Sequence, residues 1–373
     1  MVASRFCGGC HDPALLADGA MDVDVEPLDP RAHAGITCLT CHGAREATVD
    51  GNGSLAVDVN KVVLPRSGSA ESIAEHKASA SPISGPELCA SCHRSFLGES
   101  TGHDSYLQGV DDYGTWQSSA FAESGMDRVD DAPKASCRDC HMRPERATRG
   151  DKAAKRGTVS SHRVLGAHTH LAAMRRDEEM LERTRRSLRG VASVDVAAIR
   201  GQQSGWHRPA ESSPLVPGEI VDIDVVVRSV RVGHRFPGGT TDAHDTWIEI
   251  VVFDGERVVA TSGRQHRHRE ERGVHRLRSV ILGADGRPRF GREVHDFRAR
   301  LVDHTVSPRG TNIVRYRWTV PESTGPLRVE AKLLHRSRNR TLAALACADS
   351  KTAEGRAFAI GARSAGKGIA DPC

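Results

Sequence analysis

The sequence has few aromatic residues, little net charge and no long hydrophobic run. Aromatic residues make up 4% of the 373 positions and hydrophobic residues 38%. So few large side chains predict either a loosely packed fold or an interior filled partly by something other than side chains. No run of eighteen apolar residues is present, so the sequence predicts no membrane-spanning helix. The length exceeds that of one ordinary core and suits two domains.

The charge balance offers no argument for a nucleic-acid partner. The 52 Lys and Arg residues are nearly matched by 48 Asp and Glu residues, which leaves a net charge of +4. The one basic run, residues 263–278, is interrupted by Glu270 and Glu271 and is expected to form a solvated loop. No hydrophobic region of the kind that a leader sequence contains follows Met1, so the first residues are not expected to act as one.

Two parts of the chain show different patterns. Residues 1–190 read as loops with short helices near 83–98 and 114–125 and one long helix over 167–190. Residues 205–345 contain alternating strands, predicted over 218–230, 245–263, 295–306, 312–321 and 325–337, with a hairpin turn at Asp254-Gly255. We therefore predict an α+β multidomain protein, in which a loop-rich, helical N-terminal domain precedes an antiparallel β-sandwich and a C-terminal tail over 346–373.

Eight of the ten cysteines lie in four Cys-x-x-Cys-His units, which begin at Cys7, Cys38, Cys89 and Cys137. Random placement of 10 Cys and 19 His would produce about 0.01 such units. Composition alone therefore does not explain them. The remaining two, Cys347 and Cys373, could pair as a disulfide or stay free.

The residue after the second cysteine separates two interpretations of these units. Structural zinc sites use Cys-x-x-Cys pairs but need no His directly after them. Attachment of c-type haem does need it, because both thiols form thioethers and the next imidazole binds the iron. We therefore predict four covalently attached haem c groups, held by Cys7, Cys10, Cys38, Cys41, Cys89, Cys92, Cys137 and Cys140, with His11, His42, His93 and His141 as proximal ligands. Four flat apolar groups would also supply the core that residues 1–165 lack, so this half is expected to be packed around haem and not to fold without it.

Each iron has a second axial position, which His, Met or no residue can occupy. The first candidates are His33, His76, His162 and His168, and the reserves are His103, His170 and His234. Met126, Met142 and Met174 are weaker candidates. If His binds throughout, the potentials should be low relative to those of His/Met cytochromes. Asp242, His244 and Asp245 suggest a separate metal site as a minor alternative.

Several stretches resemble the multihaem cytochromes of the cytochrome c-554 type. The segment "CRDCHMRPERATRG…SHRVLGAHTHLA" (137–172), with "TWQSSAFAES" before it, is similar to their haem domain. "VGHRFPGGTTDAHDTWIEIVVFDG" (232–255) and "IVRYRWTVPESTGPLRVEAKLLHRS" resemble the β domain that often follows it, although Gly239 stands where that group usually has Thr. The resemblance covers most of residues 5–340. It implies bis-His haems attached outside the cytoplasm and electron transfer, and it matches His162 and His168 to distal-ligand positions.

These features together predict an electron-transfer protein. It would pass electrons between redox partner proteins, such as other multihaem cytochromes or a membrane quinol-oxidising complex, with the sandwich as a docking or assembly module. The alternative is a multihaem oxidoreductase in which one open iron acts on a small nitrogen or sulfur compound. Because covalent haem attachment takes place outside the cytoplasmic membrane, we expect a periplasmic or extracellular location and an export segment upstream of Met1.

Overall fold

The computed structural model describes residues 3–61, 63–78, 83, 85–123, 133–151, 153–209, 215–264, 273–322, 325–368 and 372–373. Within these ranges the chain forms short helices and several antiparallel sheets, which agrees with the predicted mixture of α and β structure. The helices are α1 (Ala3–His11), α2 (Pro13–Ala17), α3 (Cys38–His42), α4 (Ala70–Ala78), α5 (Pro86–His93), α6 (Asp112–Gln117), α7 (Cys137–His141), α8 (Thr169–Met174), α9 (Glu178–Leu188), α10 (Arg340–Asp349) and α11 (Ala353–Ser364).

Strands occur in both halves, and the long ones follow residue 191. They are β1 (Ala44–Ala47), β2 (Leu55–Val57), β3 (Arg94–Leu97), β4 (Leu107–Asp111), β5 (Pro144–Arg146), β6 (Thr158–Ser160), β7 (Ala192–Gly201), β8 (Gly205–His207), β9 (Ile220–Ser229), β10 (Asp245–Asp254), β11 (Arg257–Ser262), β12 (Ser279–Leu282), β13 (Pro288–Arg289), β14 (Ala299–Asp303), β15 (Thr311–Thr319) and β16 (Leu327–Arg336). The antiparallel pairs β1–β2, β3–β4 and β5–β6 start just after His42, His93 and His141. The second, third and fourth Cys-x-x-Cys-His units are therefore each followed by a small sheet.

The single helix predicted over 167–190 is wrong, because this stretch forms α8 and α9. Arg176, between them, has φ 54°, a left-handed conformation that a right-handed helix cannot include. Asp177 then begins α9 by accepting a hydrogen bond from the Met180 backbone N–H at 2.8 Å. Gly190, with φ 71°, lies just beyond the end of α9, as the sequence predicted.

The second half is built from antiparallel sheets, in the orders β15-β9-β7-β8, β11-β10-β16 and β13-β12-β14. All five strand regions predicted from the sequence contain strands, and the predicted Asp254-Gly255 turn joins β10 to β11. Gly255 has φ 57° there, which suits a tight hairpin. β7 pairs with β9 over most of its length, so the four-stranded sheet begins ahead of the boundary predicted at residue 205.

One hydrophobic core joins the sheet β15-β9-β7-β8 to the sheet β11-β10-β16. Alternate residues of a strand point to the same side, so β9 and β10 each contribute a row of aliphatic side chains. The cluster includes Val221, Ile223, Val225, Val227, Ile248, Ile250 and Val252. Among the described residues of the first half, the large apolar side chains that are buried are only Leu15, Leu97, Leu107 and Leu181. The first half therefore has little aliphatic core of its own.

The predicted tail contains the end of α10 and all of α11. Cys347 and Cys373 form a disulfide, which decides between the two states left open by the sequence. α11 packs against the 3₁₀ turn Pro30–His33, where the rings of Phe358 and His33 have centroids 4.6 Å apart. The C-terminal segment therefore returns to the N-terminal half of the chain.

Some sequence predictions fall partly outside the described residues. This applies to Met126, to residues 265–272 of the basic run and to the last two residues of the predicted 114–125 helix, where α6 covers Asp112–Gln117. In the described part, no helix combines the length and apolar character that crossing a membrane requires.

Candidate functional site

Each Cys-x-x-Cys-His unit forms a helix, or the end of one, that stops at its histidine. α1 ends at His11, α3 at His42, α5 at His93 and α7 at His141. In a helix, residues i, i+3 and i+4 lie on one face, so both thiols and the imidazole of each unit point to the same side. This is the arrangement that two covalent bonds and one metal bond to a single flat group require. Ser136 illustrates the local cause, because it caps α7 with its side chain, while the Asp139 carboxylate accepts the Ser136 N–H at 2.8 Å.

The four units converge around α5. The thiol of Cys10 lies beside that of Cys92, and this interaction raises the pKa of Cys10 and lowers the pKa of Cys92. The thiol of Cys89 lies in the same way beside that of Cys137, and this interaction raises the pKa of Cys89 and lowers that of Cys137. Burial, and then the neighbouring Cys92, raise the pKa of Cys41. Cysteines from all four units therefore lie near one another, and groups attached to them would be close neighbours.

His42 and His162 form the first of two imidazole pairs. Their ring centroids are 6.1 Å apart and their planes differ by 22°. Two imidazoles that bind one metal ion from opposite sides, with metal–nitrogen bonds of about 2 Å, have centroids about 6 Å apart. Burial lowers the pKa of His42, and the neighbouring His162 and His76 lower it further, so its imidazole is held in the neutral form that binds metal.

His141 and His234 form the second pair, with centroids 6.3 Å apart and planes that differ by 12°. His141 Nδ1 donates a hydrogen bond to the Leu165 carbonyl oxygen at 2.6 Å, which leaves Nε2 to bind a metal. Burial lowers the pKa of His141. His234 comes from the loop before Pro237 in the second half of the chain, so this pair joins the two halves.

The loop that carries His234 rests on α6. Arg235 N–H donates to Thr115 Oγ1 at 3.3 Å, and Gly239 N–H donates to Asp112 Oδ1 at 2.9 Å. A Cβ at Gly238 would overlap the His234 ring, so only glycine leaves room for the imidazole there. These contacts fix the direction in which His234 points.

Asp112 lies between two of the site histidines. Its Oδ2 accepts a hydrogen bond from His93 Nδ1 at 3.2 Å, and its Oδ1 is 3.6 Å from His234 Nδ1. Burial raises the pKa of Asp112, but the hydrogen bond from His93, the nearby His234 and the Gly239 N–H outweigh it and lower the pKa to about 2. The same hydrogen bond raises the pKa of His93. The sequence did not indicate Asp112, whose only local signal is its position two residues before the predicted helix over 114–125.

Three further candidate ligands, His33, His76 and His103, lie outside the two imidazole pairs. His33 is buried, and its Nε2 lies 2.7 Å from the Pro27 carbonyl oxygen. His76 lies in α4 near His42. His103 Nδ1 is 3.5 Å from Thr101 Oγ1, and its Nε2 is buried without a hydrogen-bond partner among the described residues. Each of the three stays a candidate.

His168 and His170 begin a histidine cluster that continues into the second half. Burial and the nearby His93 lower the pKa of His168, and His170 Nδ1 is 3.0 Å from Ser337 Oγ. Burial, and then Arg338 and His168, lower the pKa of His170 to about 4. His244 lies 6.2 Å from His168 between ring centroids, which the sequence did not indicate.

The carboxylates beside His244 are already paired with arginines. Asp242 binds Arg292 at 2.8 and 3.0 Å, and Asp245 binds Arg276 at 3.1 Å and Arg336 at 2.7 Å. Over the described ranges, no group of three or more His, Cys, Asp and Glu side chains could hold a metal ion. The described residues thus bring imidazoles together in two pairs, and they hold no ligand set of the kind that structural zinc uses.

No protein-family model matches the chain, and no curated protein matches it. Among solved structures, the fold is similar to the crystal structure of a penta-haem cytochrome c552 from Thermochromatium tepidum, with a TM-score of 0.52 and 14% sequence identity. The match covers 91% of this chain and 78% of that chain. At this level of identity, the similarity is one of fold.

Proposed function

We propose that the protein is a multihaem c-type cytochrome that transfers electrons between redox partners outside the cytoplasm. The observation that carries this proposal is the pairing of His42 with His162 and of His141 with His234 at 6.1 and 6.3 Å, each beside a Cys-x-x-Cys pair. The fold of the penta-haem cytochrome c552 supports it independently.

The Cys-x-x-Cys-His units each hold one haem c, so the chain holds four. The eight cysteines form the thioether bonds, and His11, His42, His93 and His141 bind the irons from one side. His162 and His234 bind the second and fourth irons from the other side, and His168, which lies near His93, serves the third. The first iron takes its ligand from His33, His76 or His103.

Bound haem supplies one-electron chemistry, and the chain positions it. Cysteines of different units lie near one another around α5, so the four groups would be close enough to pass electrons along the protein. The backbone carbonyl of Leu165 orients His141, and the carboxylate of Asp112 orients His93. The sheets β15-β9-β7-β8 and β11-β10-β16, which share one core, form a β-sandwich that serves as a docking or assembly module.

The test is the absorption spectrum of the reduced protein, produced together with haem-attachment machinery, before and after carbon monoxide. We expect a c-type spectrum with four haems per chain that carbon monoxide leaves unchanged, because both axial positions of every iron are filled. A shift of part of the Soret band would favour the alternative, an oxidoreductase with an open iron that acts on a nitrogen or sulfur compound. Absence of any haem spectrum would overturn the proposal.

A further inference from the structure

The two oxygens of Asp112 face axial ligands of two different units. Oδ2 accepts a hydrogen bond from His93, of the third unit, and Oδ1 is 3.6 Å from His234, which pairs with His141 of the fourth unit. Gly239 N–H also donates to Oδ1, so the carboxylate is held in place from the side of the β domain. The Asp112 side chain is 17% exposed, which limits screening by water.

We propose that Asp112 is a positioning residue shared by two haems, and that its single carboxylate lowers the reduction potentials of both. This inference rests on the proposed function, because it takes His93 and His234 as axial ligands. His141 offers a contrast to His93. His141 donates to a neutral backbone carbonyl, and no carboxylate is described at its Nδ1.

The direction of the effect follows from charge. A carboxylate that accepts the Nδ1 proton makes the imidazole a stronger electron donor to its iron, and it stabilises the ferric state over the ferrous one. The same negative charge lies beside His234 and stabilises ferric iron there too. Because one charge acts on two irons, removing it raises both reduction potentials. The difference between the two potentials changes by less than either potential does.

The experiment compares Asp112→Asn with Asp111→Asn and Asp112→Glu in the full haem-loaded protein, by spectroelectrochemical titration together with haem content. Asp111 is the matched control, because it lies one residue away and caps α6 by accepting the Gly114 N–H at 2.9 Å, a role that Asn also fills. We expect Asp112→Asn to keep four haems and to raise two of the four potentials. The rise should correspond to roughly a tenfold change in each reduction equilibrium, which is about 59 mV for a one-electron couple. Asp112→Glu should return both potentials part of the way.

Three results would overturn the inference. They are a shift of one potential or none, a shift in Asp111→Asn as large as in Asp112→Asn, and a shift in Asp112→Glu as large as in Asp112→Asn. If Asp112→Asn holds fewer than four haems, infrared difference spectra of the unmodified protein decide. A carboxylate band that changes at two separate reduction steps supports the inference, and a band that changes at one step or none contradicts it. Failure of the proposed function differs from all of these, because the unmodified protein would then show no c-type spectrum.

Discussion

Replacing His234 with alanine should open one iron without releasing its haem. The imidazole pairs with that of His141, with ring centroids 6.3 Å apart, whereas the proposed covalent bonds to that haem would come from Cys137 and Cys140 on α7. The substitution therefore removes an axial ligand and leaves both thioethers. The iron should change from six-coordinate to five-coordinate and gain an open position for carbon monoxide.

The size of the effect follows from the count of units. One of four haems should respond, so the reduced variant should bind one carbon monoxide per chain, and roughly a quarter of the Soret absorbance should shift. The fold should survive, because the side chain is 25% exposed and its one described hydrogen bond, Nδ1 to the Arg235 carbonyl at 2.9 Å, contributes about 1 kcal/mol. That loss is small beside a domain stability of about 5–15 kcal/mol.

The assay is a carbon monoxide titration of the dithionite-reduced protein, with haem content measured on the same sample. His295→Ala is the matched control, since His295 is exposed in a 3₁₀ turn of the second half. It should bind no more carbon monoxide than the unmodified protein. The reasoning would be refuted if His234→Ala kept four haems and bound no carbon monoxide, because His234 would then not be the ligand opposite His141.

Three further variants test the surroundings. Glu219→Gln should lower the free energy of unfolding by roughly 2 kcal/mol at pH 7. Burial raises the pKa of Glu219, but hydrogen bonds from the backbone N–H groups of Gln203, Ser204 and Val216 help to outweigh it, and the pKa falls to about 2. The stabilisation therefore exists above the usual value of 4.5 and is lost as pH falls towards 2. Urea unfolding at pH 7 and pH 3 should show the difference shrinking, and an equal difference at both would contradict this. Cys373→Ser should lower stability by up to roughly 3 kcal/mol by removing the Cys347–Cys373 disulfide, and the difference in melting temperature between variant and parent should vanish when disulfide and irons are reduced in both. Gly238→Ala should displace His234 and give partial carbon monoxide binding, because a Cβ at this position would overlap the imidazole. A variant that bound no carbon monoxide would count against the contact.

Local secondary structure is what the sequence predicts well here. The Cys-x-x-Cys-His units need only a helical turn to bring thiols and imidazole to one face, and all four units form one. The strands of the second half are likewise recognisable from alternation and from the Asp254-Gly255 turn. The prediction over 167–190 failed because periodicity alone does not show that Arg176 takes a left-handed conformation or that Asp177 starts a new helix.

Long-range pairing is what the sequence leaves open. His141 and His234 are far apart along the chain, and no periodicity or spacing connects them, so His234 could be ranked only as a reserve. Asp112 has no motif around it, and its importance follows only from its contacts with His93 and with the loop that carries His234. Both features require the second half of the chain to be folded against the first.

The proposed ligands therefore change how the second half is interpreted. The sequence predicts a docking or assembly module, but the loop with His234 and Gly239 also contributes the imidazole that pairs with His141 and holds the Asp112 carboxylate. The aliphatic core lies between the sheets β15-β9-β7-β8 and β11-β10-β16, and the described part of the first half has little aliphatic core of its own. A packed sheet supports an axial ligand better than a loop-rich segment does. The position of a ligating side chain depends on how firmly the residues around it are fixed. On this proposal the β half completes the fourth haem site, and the charge that it holds through Gly239 tunes the third haem as well.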